Sequence, residues 1–265
     1  MKKISSLILL VILLLSTVPV FLSWQNNKRK EREFHQLTVY HFKTAAQEKM
    51  LDTYFQNALI PALHRAGLKN VGVFKSWAND TIADKLAYVF VPLPSVDALL
   101  KLKEQLKKDE QYNSNASGFL NADYKSPAYT RTETIVLHAF ELAPQMQPPS
   151  LRSPKRNRVY ELRSYESPTE KKLESKIKMF NQGDEIGLFR RLNFNAVFYS
   201  EVIAGSKMPN LMYMTCFENR EERDAHWKAF FSDTAWKKLS AMEEYKNNVS
   251  RAEISFLYPA DYSDF

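Results

Sequence analysis

The amino-acid sequence predicts an α+β protein made of two similar units in tandem, each ordered strand, helix, strand, strand, helix, strand. One observation is composition: 265 residues, 45% of them hydrophobic and 25% charged, suffice for two packed cores. A second is hydrophobic periodicity, which alternates along the chain between the period of strands and that of helices. The third is a set of residues that recurs in the same order in the two halves.

The first half opens with a strand over residues 34–42. In the helix that follows, apolar residues recur three and four positions apart from Leu51 onward; Pro61 should kink its last turns and Gly67 should end it. Two strands of a hairpin, 71–77 and 86–91, are predicted next, followed by a helix over 96–106 capped by Ser95. A polar, irregular stretch over 113–126 then leads to a last strand over 131–142.

The second half repeats this order after a proline-rich break. Its opening strand, residues 159–165, alternates apolar with charged or polar positions. Leu173, Ile177 and Phe180 mark the first helix, and Asn219 is expected to cap the second. The other predicted strands are 196–203, 211–217 and 251–258, and no element is predicted for the tail, 259–265.

The recurring residues indicate a duplication. They are Leu37 and Tyr40 with Leu162 and Tyr165, Asp109 and Tyr112 with Asp233 and Trp236, and Arg131-x-Glu133 with Arg251-x-Glu253. A four-stranded sheet with both helices on one face leaves its other face uncovered, and two such units can cover each other. The sequence therefore predicts two tandem ferredoxin-like βαββαβ domains, residues 33–142 and 158–258, joined by a basic linker, 143–157, and forming a pseudo-dimeric α/β barrel.

The first 24 residues predict export. Lys2 and Lys3 precede an apolar run over residues 7–22, which is the pattern of a signal peptide. The run lacks a clear cleavage pattern and is short for a spanning helix, so release and N-terminal tethering both stay open. We expect the folded part in the bacterial cell envelope or periplasm, touching membrane only through this segment.

Charge, cysteine and histidine usage argue against several functions. The net charge of +7 is modest, and its basic clusters are not interleaved with aromatic residues, which argues against nucleic acid. Cys216, the single cysteine, lies in an apolar run and predicts a buried thiol. The five histidines lack metal-ligand spacing, and no nucleophile or phosphate-binding motif occurs, so no metal is predicted and catalytic residues are unknown.

The second half resembles the NIPSNAP domain over about residues 159–258. The resemblance rests on Val-Tyr-Glu-Leu-Arg-Ser-Tyr at 159–165, His226-Trp227 with Phe230, Asp233-x-x-Trp236 and Arg251-x-Glu253. The first half resembles a divergent copy, with His35, Gln36 and Thr38 in place of Tyr160, Glu161 and Arg163. The resemblance implies the dimeric α/β barrel fold of the ferredoxin-like superfamily in the tandem form of exported bacterial members, for which no reaction is firmly assigned.

Two charged rows are candidate binding residues. Glu161 and Arg163 share a face of their strand, as Arg251 and Glu253 do of theirs. A barrel could bring both rows to a common cavity mouth, where an arginine binds an anionic group and a glutamate accepts a proton. Alternatively, they form a salt-bridge network that fixes domain pairing. The full set of candidate ligand-binding residues is Tyr40, Glu133, Glu161, Arg163, Tyr165, His226, Arg251 and Glu253.

The leading functional hypothesis is a module, without catalysis, that binds a small apolar or anionic molecule or a protein partner. The alternative is a cofactor-independent monooxygenase or isomerase of the barrel superfamily acting on a small apolar or aromatic compound. A third reading is a homo-oligomeric scaffold. No cofactor is predicted, and haem enters only as an alternative, through His226 and the haem-binding relatives of the superfamily.

Overall fold

The computed structural model describes residues 31–265. The predicted export segment, residues 1–24, lies outside this range. Among the described residues, no helix combines the length and apolarity needed to cross a membrane.

Eight antiparallel strands close into a barrel in this part of the chain, so the α+β class is confirmed. Around the barrel the order is β1-β3-β2-β8-β5-β7-β6-β4. The strands are β1 Phe34–Phe42, β2 Gly72–Ser76, β3 Lys85–Leu93, β4 Arg131–Ala139, β5 Val159–Glu166, β6 Ala196–Ala204, β7 Asn210–Phe217 and β8 Arg251–Pro259.

Each half of the chain supplies four neighbouring strands, and the two halves meet at two short seams. Within the first half, β1 pairs with β3 over nine positions. Between the halves, β2 pairs with β8 over three positions and β4 with β6 over four. In both seams, the paired residues lie at the C-terminal ends of β8 and β4. The strands of the two halves are therefore not paired with each other near Arg131 and Arg251, where β4 and β8 begin. We call that side the open end of the barrel and the opposite side its closed end.

The helices cover the outside of the barrel in two layers, one for each half. They are α1 Ala45–Tyr54, α2 Ile60–Arg65, α3 Val96–Lys108, α4 Glu110–Asn115, α5 Ser117–Leu120, α6 Glu170–Asn181, α7 Glu185–Arg191, α8 Arg220–Ser232 and α9 Thr234–Ser240. Each layer buries its own apolar cluster against the sheet, and a further cluster fills the barrel interior. The sheet is therefore covered on both faces.

Several local predictions are confirmed. The Ser95 hydroxyl accepts from the Ala98 backbone amide at 3.2 Å, and Asn219 Oδ1 accepts from the Glu222 amide at 2.8 Å, so both residues cap helices. Gly67 follows α2 with φ of +84°, a left-handed conformation that glycine adopts without strain. Cys216 is fully buried, and burial raises the pKa of its thiol.

The first helix and the stretch near residues 113–126 differ from expectation. A π-helical turn, Phe55–Leu59, separates α1 from α2 just before Pro61, because proline cannot donate the backbone hydrogen bond of a regular α-helix. The stretch predicted to be irregular contains the second half of α4 and all of α5. Asp109 starts α4 by accepting a hydrogen bond from the Tyr112 amide at 2.8 Å. The prediction was wrong because it gave the polar composition of the stretch more weight than this local capping signal.

The tail that follows β8 closes one end of the barrel. Phe265 is 3% exposed, and its ring lies 5.6 Å from that of Phe74 and 6.3 Å from that of Tyr160. These rings belong to the interior cluster, together with Phe90 and Phe198. The closed end is therefore filled with aromatic side chains, and free space in the interior lies at the open end.

Candidate functional site at the open end of the barrel

Alternation along β5 sends its side chains to two different environments. Tyr160 and Leu162 belong to the barrel interior, so Glu161 and Arg163 face the helix layer. The expectation that this row reaches a cavity mouth inside the barrel is therefore wrong. Because both faces of β5 are buried, the hydrophobic pattern could not tell which face looks inward.

Glu161 is the centre of a buried ion-pair network between β5 and α8. Its carboxylate accepts from Arg163 Nε at 2.6 Å, from Arg223 Nε at 2.7 Å and from Trp227 Nε1 at 2.8 Å. The Arg163 guanidinium lies 3.8 Å from the centre of the Trp227 ring and donates to the Tyr165 hydroxyl at 2.9 Å. This network fixes a helix to its own sheet rather than one half to the other.

The charges of this network control the ionisation of Glu161. Burial by itself raises the pKa of the carboxyl, but hydrogen bonds and charge from Arg223 and Arg163, with the Trp227 hydrogen bond, outweigh it, and the pKa lies below its ordinary value. With its oxygens occupied by three donor side chains, the carboxylate is suited to holding the helix rather than to accepting a substrate proton.

Acid should therefore weaken the protein partly through Glu161. Because the pKa of Glu161 is lower in the folded state, its carboxylate stabilises the folded protein at pH values above its unfolded-state pKa of about 4.3. This stabilisation is lost as the pH falls through the folded-state pKa. We expect the free energy of unfolding of the wild type to fall more steeply below about pH 4.5 than that of Glu161→Gln. Urea denaturation from pH 7 to pH 3 measures this, and parallel pH profiles would contradict it. Asp109 and Asp233 also have lowered pKa values, but both are present in the wild type and in Glu161→Gln, so they do not account for a difference between the two pH profiles.

Tyr40 and His226 also lie in the helix layers. The Tyr40 ring packs 5.0 Å from that of Phe55, and burial raises the pKa of its hydroxyl. His226, on α8, lies 5.9 Å from the Phe194 ring, and its Nε2 is 3.8 Å from the nearest Glu222 carboxylate oxygen. Neither side chain lies in the barrel interior.

The open end brings together Glu133 and Glu253, the equivalent glutamates of the two halves, on the wall of one cavity. Arg251 lies at the same end but is 65% exposed, with Nε 3.9 Å from a Glu166 carboxylate oxygen. Of the predicted candidates, the structure thus places two in a cavity, one outside it at the same end, and five in the helix layers. The two that share the cavity come from different halves of the chain.

The cavity has a volume of about 130 Å³, an apolar wall and a polar mouth. Its apolar lining consists of Leu37, Val39, Leu86, Ile135, Leu162, Val202 and Met212. At the mouth, Lys207 Nζ lies 2.6 Å from Glu253 Oε2, and His41 Nε2 lies 3.4 Å from Glu133 Oε1. His41 Nδ1 in turn lies 2.8 Å from Asp84 Oδ2. The site therefore joins an apolar chamber to two carboxylates that each have a partner.

Tyr88 supplies a polar group inside this chamber. Burial raises the pKa of its hydroxyl to about 12, with a hydrogen bond to Ser255 acting in the opposite direction and the charges of Glu253 and Glu133 acting in the same one. The hydroxyl is therefore protonated at neutral pH and can donate or accept a hydrogen bond. Ser164 and Asn210, hydrogen-bonded to each other at 2.8 Å, complete the polar lining nearby.

Sequence reasoning missed His41, Tyr88 and Lys207. The alternation of β1 holds a signal for His41, since Leu37, Val39 and His41 share a face, but His41 itself was considered only for metal spacing. Lys207 lies in the β6–β7 turn with φ of +63°, and no local pattern indicates where its side chain reaches. In the described part of the chain, no group of three or more His, Cys, Asp or Glu side chains could hold a metal.

A second buried polar pair lies beyond the cavity, toward the closed end. His35 Nδ1 is 3.0 Å from Ser200 Oγ, and the imidazole lies 5.1 Å from the Phe90 ring. Burial lowers the pKa of His35 against the opposing effect of Glu33, so the ring is neutral at pH 7. Ser200 is fully buried and inaccessible to a substrate, so this pair is structural.

Comparison with known families identifies the second half. Residues 160–264 match the sequence model of the NIPSNAP family. This part of the chain is a NIPSNAP domain. A comparison with curated protein sequences finds no match.

Solved structures share the fold of both halves. One is a candidate monooxygenase from Lactobacillus acidophilus NCFM, with 12% identity, a TM-score of 0.56 and coverage of 86% of this chain and 94% of that one. Another, from Fusobacterium nucleatum, is also a candidate monooxygenase, with 7% identity, a TM-score of 0.55 and coverage of 87% and 93%. An anthrone oxidase-like protein has 9% identity, a TM-score of 0.50 and coverage of 88% and 93%. At these identities the likeness shows the fold alone.

The NIPSNAP domain contributes only part of the open-end cavity. Lys207 and Glu253 belong to it, whereas His41 and Glu133 belong to the first half. By contrast, the Glu161 network lies entirely within the NIPSNAP domain. A ligand in the cavity would therefore contact both halves, and the cavity requires the closed barrel.

Proposed function

We propose that this protein binds a small apolar or aromatic compound carrying one polar group in the open-end cavity, without catalysing a reaction. The observation that carries this proposal is an apolar chamber with a protonated Tyr88 inside it and partnered carboxylates at its mouth. An engineered apolar cavity of about 150 Å³ holds benzene, so a chamber of this size suits a single aromatic ring. Convergent polar groups in an apolar pocket are the usual arrangement of a ligand site.

The partners of the two carboxylates at the mouth support a neutral ligand. Glu253 lies against Lys207, and Glu133 lies 3.4 Å from His41 Nε2, so each carboxylate already has a partner within the protein. The short seams support entry at this end, because the strands of the two halves are not paired beside Glu133 and Glu253. The ring would rest on residues such as Leu162, with its polar group on Tyr88.

Phenol is a suitable probe for this site. We expect phenol to shift the NMR signals of the Met212 and Ile135 methyl groups, and Tyr88→Phe to weaken phenol binding about three- to tenfold, since one hydrogen bond is lost. Benzene should bind both proteins equally. Val39→Phe, which fills the chamber, should remove the binding of both compounds.

Tyr258→Phe is the matched control for this experiment. Tyr258 lies outside the barrel, with its ring 6.5 Å from that of Trp77, so this change should leave phenol affinity unaltered. The proposal fails if phenol leaves the cavity methyl signals unmoved, or if Tyr258→Phe weakens binding as much as Tyr88→Phe.

A second candidate, a monooxygenase or isomerase acting on the same class of compound, is favoured by the surroundings of His41. Its imidazole lies between Glu133, which lines the cavity, and the exposed Asp84, so a proton taken up at Glu133 has a route to solvent. Catalysis would appear as turnover of a bound hydroxylated aromatic compound that Glu133→Gln abolishes without loss of binding.

We also propose that the halves are tandem ferredoxin-like domains, residues 33–142 and 158–258, in a pseudo-dimeric α/β barrel. The two equivalent aspartates support this. Asp109 caps α4 and binds Arg65 at 2.7 Å, while Asp233 caps α9 and binds Arg191 at 2.9 Å. Each arginine ends the helix that precedes the second strand of its half.

For location, we propose export to the cell envelope, with residues 1–24 as signal or anchor, on the sequence pattern alone. We further propose that the protein binds a protein partner or forms a homo-oligomer, in addition to binding a small molecule. Fractionation of the producing cells and the mass of the purified protein in solution test these two points.

A further inference from the structure

A second cleft lies outside the barrel, between the linker and the NIPSNAP domain. Residues 142–147, at the start of the linker, cross it as a strap above α7 and the start of β6. Its volume is about 520 Å³, four times that of the open-end cavity. This size falls within the range of about 300–1,000 Å³ that small-molecule sites occupy.

Backbone hydrogen bonds hold the strap in place on both sides of the cleft. The Phe140 amide donates to the Tyr199 carbonyl at 2.9 Å, and the Gln147 amide donates to the Val197 carbonyl at 2.9 Å. Between them, the Leu142 amide donates to Asn181 Oδ1 at 2.9 Å. The cleft is therefore formed before a ligand arrives, which lowers the entropic cost of binding.

The floor of the cleft is apolar and aromatic. Ile186 and Phe189 come from α7 and Tyr199 from β6, and the rings of Phe189 and Tyr199 lie 5.9 Å apart. The Tyr199 side chain is buried, and burial raises the pKa of its hydroxyl; the charge of Glu185 acts in the same direction and that of Arg190 in the opposite one. The floor therefore presents a mainly apolar boundary to a ligand in the cleft.

The rim of the cleft favours an anion. Among the described residues that line it, none is Asp or Glu, whereas Arg190 and the amides of Gln145, Gln147, Asn193 and Asn195 are present. Arg190 has no carboxylate partner among the described residues, unlike its neighbour Arg191, which Asp233 binds. Asn193 and Asn195 have φ of +56° and +43°, a left-handed conformation that asparagine tolerates and that shapes the turn beside Arg190.

We propose that this cleft binds a small aromatic carboxylate, with the ring between the strap and the apolar floor and the carboxylate on the Arg190 guanidinium. A planar guanidinium can donate two parallel hydrogen bonds to a carboxylate, so it fixes orientation as well as charge. The site is separate from the open-end cavity, with which it shares no lining residue, and it stands whether or not the cavity binds phenol.

Three compounds with one skeleton test this proposal by titration calorimetry on the full-length protein: 4-phenylbutyrate, 4-phenylbutan-1-ol and 4-phenylbutan-1-amine. We expect the carboxylate to bind tightest and Arg190→Gln to weaken it about tenfold, while the affinity of the alcohol stays unchanged. Ala143→Trp, which places an indole in the cleft, should remove binding of both. Thermal unfolding of each variant confirms that it is folded.

Two further variants make the result specific. Arg191→Gln removes the same charge one residue away and should change phenylbutyrate affinity by less than about twofold, because Arg191 does not line the cleft. Val39→Phe fills the open-end cavity and should have no effect. The proposal is overturned if phenylbutyrate does not bind at millimolar concentration, if the amine binds equally well, or if Arg190→Gln and Arg191→Gln have equal effects.

Discussion

Replacing Glu161 with alanine is expected to lower the free energy of unfolding by about 3–5 kcal/mol, because it leaves two arginines and an indole N–H without their shared acceptor. Glu161 is fully buried, and the side chains of Arg163 and Arg223 are only 9% and 15% exposed, so water cannot replace the carboxylate. Urea denaturation at pH 7, followed by the fluorescence of Trp227, measures the loss.

A surface pair in the same half provides the control. Glu253 binds Lys207 with both side chains more than 40% exposed, so Glu253→Ala should cost no more than about 1 kcal/mol. Equal losses for Glu161→Ala and Glu253→Ala would mean that the network under α8 is solvated. In that case the row from Glu161 to Tyr165 would again be available to a ligand.

Much of the fold follows from two local properties of the sequence. The change between strand and helix periods located all eight described strands, including β5 and β8, to within a few residues. The recurrence of Asp109 as Asp233 aligned the halves, since each aspartate starts a short helix. Closure of the barrel could be anticipated because two sheets with one bare face each can cover each other.

The site was harder to predict because alternation tells which residues share a face but not where that face points. On β8, Glu253 shares the interior face with Leu257, and on β4 Glu133 shares it with Leu137, so these glutamates reach the cavity. On β5 the charged row lies on the helix side. Aromatic residues pack on both faces of β5 around Glu161, so composition did not indicate which face points into the barrel.

Contacts between distant segments lay beyond sequence reasoning. Lys207 meets Glu253 across 46 residues of chain, and the strap meets β6 through backbone groups that every residue possesses. The cleft under the strap therefore has no sequence motif. Arg190 stands beside Arg191 in the sequence, and only the position of Asp233 distinguishes the arginine with a carboxylate partner from the one that has none within residues 31–265.

Phe265→Ala should lower the free energy of unfolding by about 3–5 kcal/mol, although the tail carries no sequence pattern that marks it as core. The ring is 3% exposed and lies 5.6 Å from Phe74 and 6.1 Å from Phe90, so alanine would leave a cavity among residues that the strands hold apart. Urea denaturation measures the effect, with Leu100→Ala, at a side chain 67% exposed, expected to change the value by no more than about 0.5 kcal/mol. A similarly small change for Phe265→Ala would show that the tail is not part of the core. The closed end would then be accessible, and phenol should bind at both ends of the barrel instead of at one.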